Sequence, residues 1–126
     1  MSASDYLENK ILDHVLGVAS YTQPTLYLAL YTAAPTDAGG GTEVAGNGYT
    51  RTLVTFDAAV SGSSDNDIVA QFPTATASWG TVTHFGIFDA STSGNLLFWE
   101  ALTSSELVDA DKVLSFAIGN LTITAD

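Results

Sequence analysis

The strongest constraint on the fold is a two-residue hydrophobic alternation that begins after Gly17 and recurs through most of the chain. In Thr25–Ala33, leucines alternate with Tyr27, Ala29 and Tyr31, so both faces of the expected strand are apolar. Such a strand is typical of the centre of a sheet that is covered on both sides, or of a sheet that contacts another subunit.

Further strand-like segments follow at short intervals, separated by segments rich in glycine, serine, asparagine and aspartate. Their ranges are Tyr49–Asp57, Ile68–Phe72, Thr74–Trp79, Val82–Phe88, Leu96–Leu102, Val113–Ile118 and Leu121–Ala125. Val82–Phe88 and Leu96–Leu102 are the best candidates for a hairpin, because only small turn residues separate them. The pattern predicts a mainly β fold of about seven to nine strands, either an antiparallel β-sandwich or a partly open barrel.

One segment has helical periodicity. Between Tyr6 and Leu16 the apolar residues recur every three or four positions, with Ser2 or Ser4 available as the N-cap and Gly17 as the stop. A helix of about three turns is unstable alone in water, so it must dock on its own sheet or on a neighbouring subunit. We therefore expect a single domain over residues 1–126, with a helical segment at 1–17 and a β domain at 18–126.

The charge balance excludes two classes of partner. The 126 residues include 3 Lys plus Arg against 14 Asp plus Glu, which gives a net charge of −11. Nucleic acid and an anionic membrane surface would be repelled, so neither is expected as a partner. The longest apolar runs are also far shorter than the roughly 18 residues that a membrane-spanning helix needs.

Catalytic motifs are scarce. There is no cysteine, and neither His14 nor His84 has another metal ligand at a usual spacing. No serine lies in a Gly-x-Ser-x-Gly turn, and the triplet Gly39–Gly41 lacks the Lys and Ser/Thr of a phosphate loop. We therefore expect a non-enzymatic protein without a cofactor.

Two pairs of acidic residues lie in predicted loops. Asp65 with Asp67, and Asp109 with Asp111, offer the oxygen ligands that Ca²⁺ prefers. Neither stretch has the further ligands of a complete calcium-binding loop, so solvated turn residues are the alternative interpretation.

The aromatic residues point to an interface. Phe98 and Trp99 are adjacent in a strand, so their rings lie on opposite faces and one of them faces away from a two-layer core. Either the helix covers that ring, or another subunit does. The candidate interface residues are Leu7, Ile11, Tyr27, Tyr31, Phe98 and Trp99. A candidate contact loop is marked by Thr36, Gly40, Glu43 and Gly48.

Several stretches together resemble a family of small tailed-bacteriophage proteins. These are Ser2–Leu16, Leu26–Tyr49 and Phe72–Asp89, which follow one another in the order found in the family. Its members are encoded among virion structural genes and are often labelled tail-fibre or tail-fibre-like proteins. The resemblance implies a virion component and no catalytic residues. Arg51 stands nearly alone as a cation in this sequence, which argues against contacts with phosphate or DNA.

Two places on the virion are compatible with the sequence. A short chain without fibrous repeats, with two-sided apolar strands and an acidic balance, favours a capsid decoration (cement) protein on the head exterior. A tail or tail-fibre component that acts in host adsorption is the alternative. We expect synthesis in the bacterial host cytoplasm, a homo-oligomer (a trimer) and contacts with major capsid or tail proteins. A carbohydrate-binding module that uses the loop at 36–48 and a small hydrolase around His84 complete the alternatives.

Overall fold

The computed structural model of the chain describes residues 2–125, so Met1 and Asp126 lie outside the described residues. It confirms a mainly β, antiparallel fold with one short helix near the N-terminus. The elements are β1 (Ser2–Ala3), α1 (Asp5–Val15), β2 (Leu26–Ala33), β3 (Thr42–Glu43), β4 (Thr52–Val54), β5 (Ser63–Asp65), β6 (Ala70–Gln71), β7 (Gly80–Phe88), β8 (Leu96–Val108), β9 (Ser115–Phe116) and β10 (Thr122–Thr124).

Six strands form the main sheet, in the order β1-β8-β7-β2-β3, with β4 also paired to β2. The predicted hairpin is confirmed, since β7 and β8 pair with Gly86 opposite Trp99 and Ile87 opposite Phe98. The outer edge of β2 is shared between two short strands: β4 pairs with its start and β3 with its end. Within residues 2–125 the two ends of the sheet do not pair with each other, so the barrel is not closed.

The two-sided character of β2 is explained by a core on each face of the main sheet. Leu28 and Leu30 belong to the larger core, which the small sheets β5–β10 and β6–β9 and their connections cover. Ala29 and Tyr31 belong to a smaller cluster on the opposite face, together with Phe88 and Leu96. Because successive side chains of a strand point to opposite faces, one strand supplies both cores.

Helix α1 begins one residue earlier than expected and is fixed to the edge of the sheet by Ser4. The Ser4 hydroxyl accepts a hydrogen bond from the Leu7 amide at 3.2 Å and donates one to the Leu96 carbonyl. Ser4 is thus both the N-cap and a link to β8, next to the pairing of β1 with the same strand. No helix within residues 2–125 is both long and apolar enough to cross a membrane.

Three local expectations differ from the structure. Thr74–Trp79 contains no strand, although Ala75 and Trp79 are buried in the larger core. The polar segment around Ser63–Asp65 forms β5, whose partner is β10. The loop after Pro35 carries the short strand β3. Sequence periodicity missed β3 and β5 because strands of two or three residues are defined by their distant partners. Thr74–Trp79 is irregular and is held by single hydrogen bonds to distant segments, such as the one from the Trp79 amide to the Val108 carbonyl at 2.8 Å.

Candidate functional site

The glycine-rich loop forms one wall of an open cleft of about 620 Å³. The start of α1 and the turn at residues 93–96 supply the other walls, and Tyr31 and Phe88 lie at its base. This volume falls in the range of small-molecule binding sites. Two of the predicted loop residues, Gly40 and Glu43, line the cleft.

The other two predicted loop residues have different positions. The Thr36 hydroxyl donates to the Gly39 carbonyl at 2.9 Å and closes a turn in which residues 36 and 39 also exchange two backbone hydrogen bonds of 2.8 Å. Gly48 lies against the segment of Thr74 and Thr76, outside the cleft. The structure therefore divides the predicted contact loop between a cleft wall and a support that packs elsewhere.

Arg51 organises the base of the cleft. Its guanidinium forms a bidentate pair with Glu43, at 2.9 Å from Nε and 2.8 Å from Nη2, and its side chain is only 7% exposed. Nη1 donates to the carbonyls of Ala90 and Ser93, and the guanidinium carbon lies 3.6 Å from the centre of the Phe88 ring. Burial opposes the charge, but the hydrogen bonds and charge of Glu43 raise the pKa of Arg51 above its ordinary value. Arg51 therefore stays charged and ties the loop to the turn after β7.

Two tyrosines adjoin this ion pair. The Tyr49 hydroxyl donates to Glu43 Oε2 at 2.7 Å and accepts from the Leu30 amide at 3.1 Å. Burial, followed by the hydrogen bond to Glu43, raises the pKa of Tyr49 strongly. Burial, followed by the charge of Glu43, raises the pKa of Tyr31 to about 12, against an opposing effect of Arg51. Both tyrosines are therefore neutral at physiological pH and serve as hydrogen-bonding groups.

A second surface feature is formed by exposed apolar residues of α1 and of the three residues that follow it, and we call it the helix patch. Its five members are 46–74% exposed: Ile11, Leu12, Val15, Leu16 and Val18. A shallow groove of about 310 Å³, lined by Ile11, Val15, Tyr21 and Pro24, runs beside it. Exposed clusters of large apolar side chains commonly mark sites of protein–protein contact.

The predicted interface residues fall into three groups. Leu7 and Tyr31 are buried within the chain, at 5% and 3% exposure, whereas Ile11 belongs to the helix patch. Tyr27 and Phe98 are half-buried, and Phe98 packs against the larger core.

Trp99 packs on the opposite face of the sheet from Phe98, against the smaller cluster. Its indole N–H donates to Asp37 Oδ1 at 2.8 Å, so the glycine-rich loop helps to cover it from within the same chain. The structure thus brings Tyr31 and Trp99 to one face and leaves Ile11 exposed on the helix. Whether any of the six contacts another subunit stays a prediction.

The histidines and acidic pairs have structural surroundings. His14 Nδ1 accepts from the Tyr21 amide at 3.0 Å, and His84 Nδ1 lies 2.8 Å from the Thr83 hydroxyl. Across residues 2–125, nowhere are three or more His, Asp or Glu side chains grouped so that they could hold a metal ion. The two predicted acidic pairs, Asp65 with Asp67 and Asp109 with Asp111, therefore belong to no such group.

Sequence reasoning missed Asp5 and Asp37 as residues of the cleft. In the sequence, Asp5 lies at the start of the predicted helical segment and Asp37 in the predicted loop at 36–48. The Asp5 amide donates to the Asp37 carbonyl at 2.9 Å, so the two segments meet through the backbone. No local signal announces this contact, because the residues come from different elements. Arg51 carried a signal, as an isolated cation in the sequence, but its partner Glu43 could not be inferred.

The fold, the cleft and the helix patch describe a small antiparallel β domain that offers surfaces for contact, and the comparison with known families identifies its class. The chain is a fibre-type structural protein of a phage virion. It belongs to the family described as podophage GP4 fiber I protein gp80, whose model matches residues 2–124. A search of curated proteins gave no match.

Proposed function

We propose that the protein is a non-enzymatic structural component on the exterior of the virion, where it serves as a compact module of a fibre or related appendage used in host adsorption. The observation that carries this proposal is the family match over residues 2–124, nearly the whole chain. The net charge of −11 supports an exterior position, because contact with packaged DNA would be repulsive.

Capsid decoration is the second candidate function. It is favoured by the compact arrangement of residues 2–125, in which the strands form one six-stranded sheet and two small sheets. A decoration protein of this kind would stabilise the head through contacts with the major capsid protein. The fibre description of the family supports the first candidate.

Immunogold labelling of purified virions with an antibody to this protein separates the two candidates. Gold confined to the tail or its fibres would support the appendage. Gold spread over the heads would support decoration and overturn the first candidate. Absence of the protein from purified particles, checked by mass spectrometry, would overturn both.

We also propose that the helix patch is the surface through which copies of the chain associate, as a trimer. Five apolar side chains, each about half to three-quarters exposed, would leave water on association. Val15 and Val60 are both 72% exposed, but only Val15 lies in the patch. They therefore offer a matched pair of substitutions.

The test is the molar mass of the full chain by light scattering after size exclusion. The wild type and Val60→Asp are expected to be oligomeric, and Val15→Asp to be monomeric, because a carboxylate would be buried in an apolar contact. A monomeric wild type at micromolar concentration would contradict the proposal, as would an oligomer of Val15→Asp. This pair isolates association better than a substitution of the predicted interface residue Phe98 would, since Phe98 also packs against the core.

A further inference from the structure

The cleft at the glycine-rich loop carries an inference that is independent of where on the virion the protein resides. We propose that it binds a saccharide, either neutral or bearing an amine, through carboxylates of its rim and the hydroxyl of Tyr31.

The first observation is the state of the Tyr31 side chain. It is 97% buried, yet its hydroxyl forms no hydrogen bond within residues 2–125 and is not sealed from solvent. The cavity that Tyr31 lines is this cleft. A buried ring therefore presents one unpartnered hydroxyl to the cleft, where it can donate or accept a hydrogen bond. The ring stacks on Phe88, with centroids 6.5 Å apart, so the position of the hydroxyl is fixed.

The second observation is the distribution of charge around the cleft. Arg51 is already neutralised by its bidentate pair with Glu43. The carboxylates of Asp5 and Asp37 also line the cleft, and neither forms an ion pair within the described part of the chain. Asp5 has no side-chain hydrogen bond there either, whereas Asp37 accepts one from Trp99. The local charge is negative, which disfavours phosphate, sulfate and acidic sugars.

Ligands with hydroxyl groups or amines fit the negative surroundings of the cleft. Carboxylates accept hydrogen bonds from hydroxyls, and charge-assisted bonds of this kind are among the stronger ones. Gly40 in the glycine-rich wall carries no side chain and has open space where a Cβ would stand, so the backbone there can be approached by a ligand. Residues 2–125 contain no group of three His, Asp or Glu side chains that could hold a divalent metal ion. A polyhydroxyl ligand uses all of these groups.

The cleft also holds its shape before any ligand arrives. Arg51 connects Glu43 of one wall to the carbonyls of Ala90 and Ser93 near the opposite wall, at 2.7–2.9 Å. The hydrogen bond from the Asp5 amide to the Asp37 carbonyl connects the start of α1 to the loop. Binding to a preformed cleft avoids the entropic cost of ordering a glycine-rich loop.

The experiment starts with a printed array of bacterial surface oligosaccharides that includes neutral, amino and acidic sugars. The strongest neutral or amino oligosaccharide is then titrated by calorimetry against the wild type and three variants of the full chain. Tyr31→Phe removes the hydroxyl and keeps the ring. Asp5→Asn removes a rim charge. Tyr27→Phe is the matched control, since Tyr27 is a half-buried tyrosine of the same strand that does not line the cleft.

The expected result is weaker binding by about three- to tenfold for Tyr31→Phe and by about tenfold or more for Asp5→Asn, with Tyr27→Phe unchanged. Thermal unfolding of each variant verifies that it is folded. The proposal is overturned if the wild type binds no neutral or amino saccharide at millimolar concentration or binds only acidic ones. Equal affinities of the wild type, Tyr31→Phe and Asp5→Asn would overturn it as well.

Discussion

Asn66 is the polar side chain on which the second layer of the fold depends. It is completely buried and joins two segments that are about fifty residues apart in sequence. Its Nδ2 donates to the carbonyls of Ile68 at 2.8 Å and Ala117 at 3.0 Å, and its Oδ1 accepts from the Leu121 amide at 2.9 Å. These bonds hold the connection between β9 and β10 against the segment that follows β5.

The substitution Asn66→Ala removes all three bonds at once. Each bond contributes about 1 kcal/mol, and a buried group left without a partner costs about 1–3 kcal/mol. Water that enters the vacated space pairs some of the three backbone groups again, so we expect a loss of about 3–5 kcal/mol. Native domains are stable by only about 5–15 kcal/mol, so the variant should be marginal. At about 4 °C per kcal/mol for a domain of this size, the Tm should fall by about 12–20 °C.

The assay is urea unfolding followed by tryptophan fluorescence and circular dichroism. Asn120→Ala is the matched control, because Asn120 is an exposed asparagine of the same connection. It should change the free energy of unfolding by less than about 0.5 kcal/mol. A loss below about 1 kcal/mol for Asn66→Ala would refute the reasoning, since it would mean that the three bonds contribute nothing beyond what water supplies.

Two further predictions concern the region of the cleft. The pKa values of Tyr31 and Tyr49 are raised in the folded state, so the unfolded chain releases their protons first as the pH rises above about 10. The free energy of unfolding should then fall by at most about 1.4 kcal/mol per pH unit for each tyrosine. Urea midpoints should be constant from pH 7 to 9 and lower at pH 11, with a smaller decline for Tyr31→Phe; a midpoint that is unchanged at pH 11 would contradict this. Gly41→Ala should destabilise by about 2 kcal/mol more than Gly40→Ala, because both glycines have positive φ but only at Gly41 does a Cβ meet backbone, at 2.7 Å from the Pro35 nitrogen. Equal thermal shifts of the two variants would show that this close approach is relieved at no cost.

Much of the fold could be predicted from the sequence because its longest elements have strong local patterns. The helix, β2 and the β7–β8 hairpin all follow from the spacing of apolar residues. The two-sided pattern of β2 also indicated cover on both faces. What it could not tell was whether the second cover comes from the same chain, and the structure shows α1 and the glycine-rich loop on that side.

The short strands could not be predicted with the same success. β5 consists of Ser63–Asp65, which has no apolar alternation, and it exists because β10 pairs with it. Thr74–Trp79 has the alternation of a strand, but its buried residues enter the core from an irregular segment. In both cases long-range pairing decides the backbone conformation, and local propensity is overridden.

The cleft depends on long-range contacts in the same way, and Arg51 shows why. In the sequence it is an isolated cation beside a flexible loop, and the scarcity of cations argued only against contacts with phosphate and DNA. In the structure it uses four hydrogen bonds to fasten Glu43 of that loop to the turn at residues 90–93. A loop with three consecutive glycines would otherwise sample many conformations. Arg51 is the only arginine of the chain, and its guanidinium is fully engaged in these internal hydrogen bonds. The cleft therefore has a fixed shape, and the carboxylates of Asp5 and Asp37 form no ion pair within residues 2–125. Those two properties together favour a ligand that brings its own hydrogen-bond donors, and both of them depend on the hydrogen bonds of Arg51.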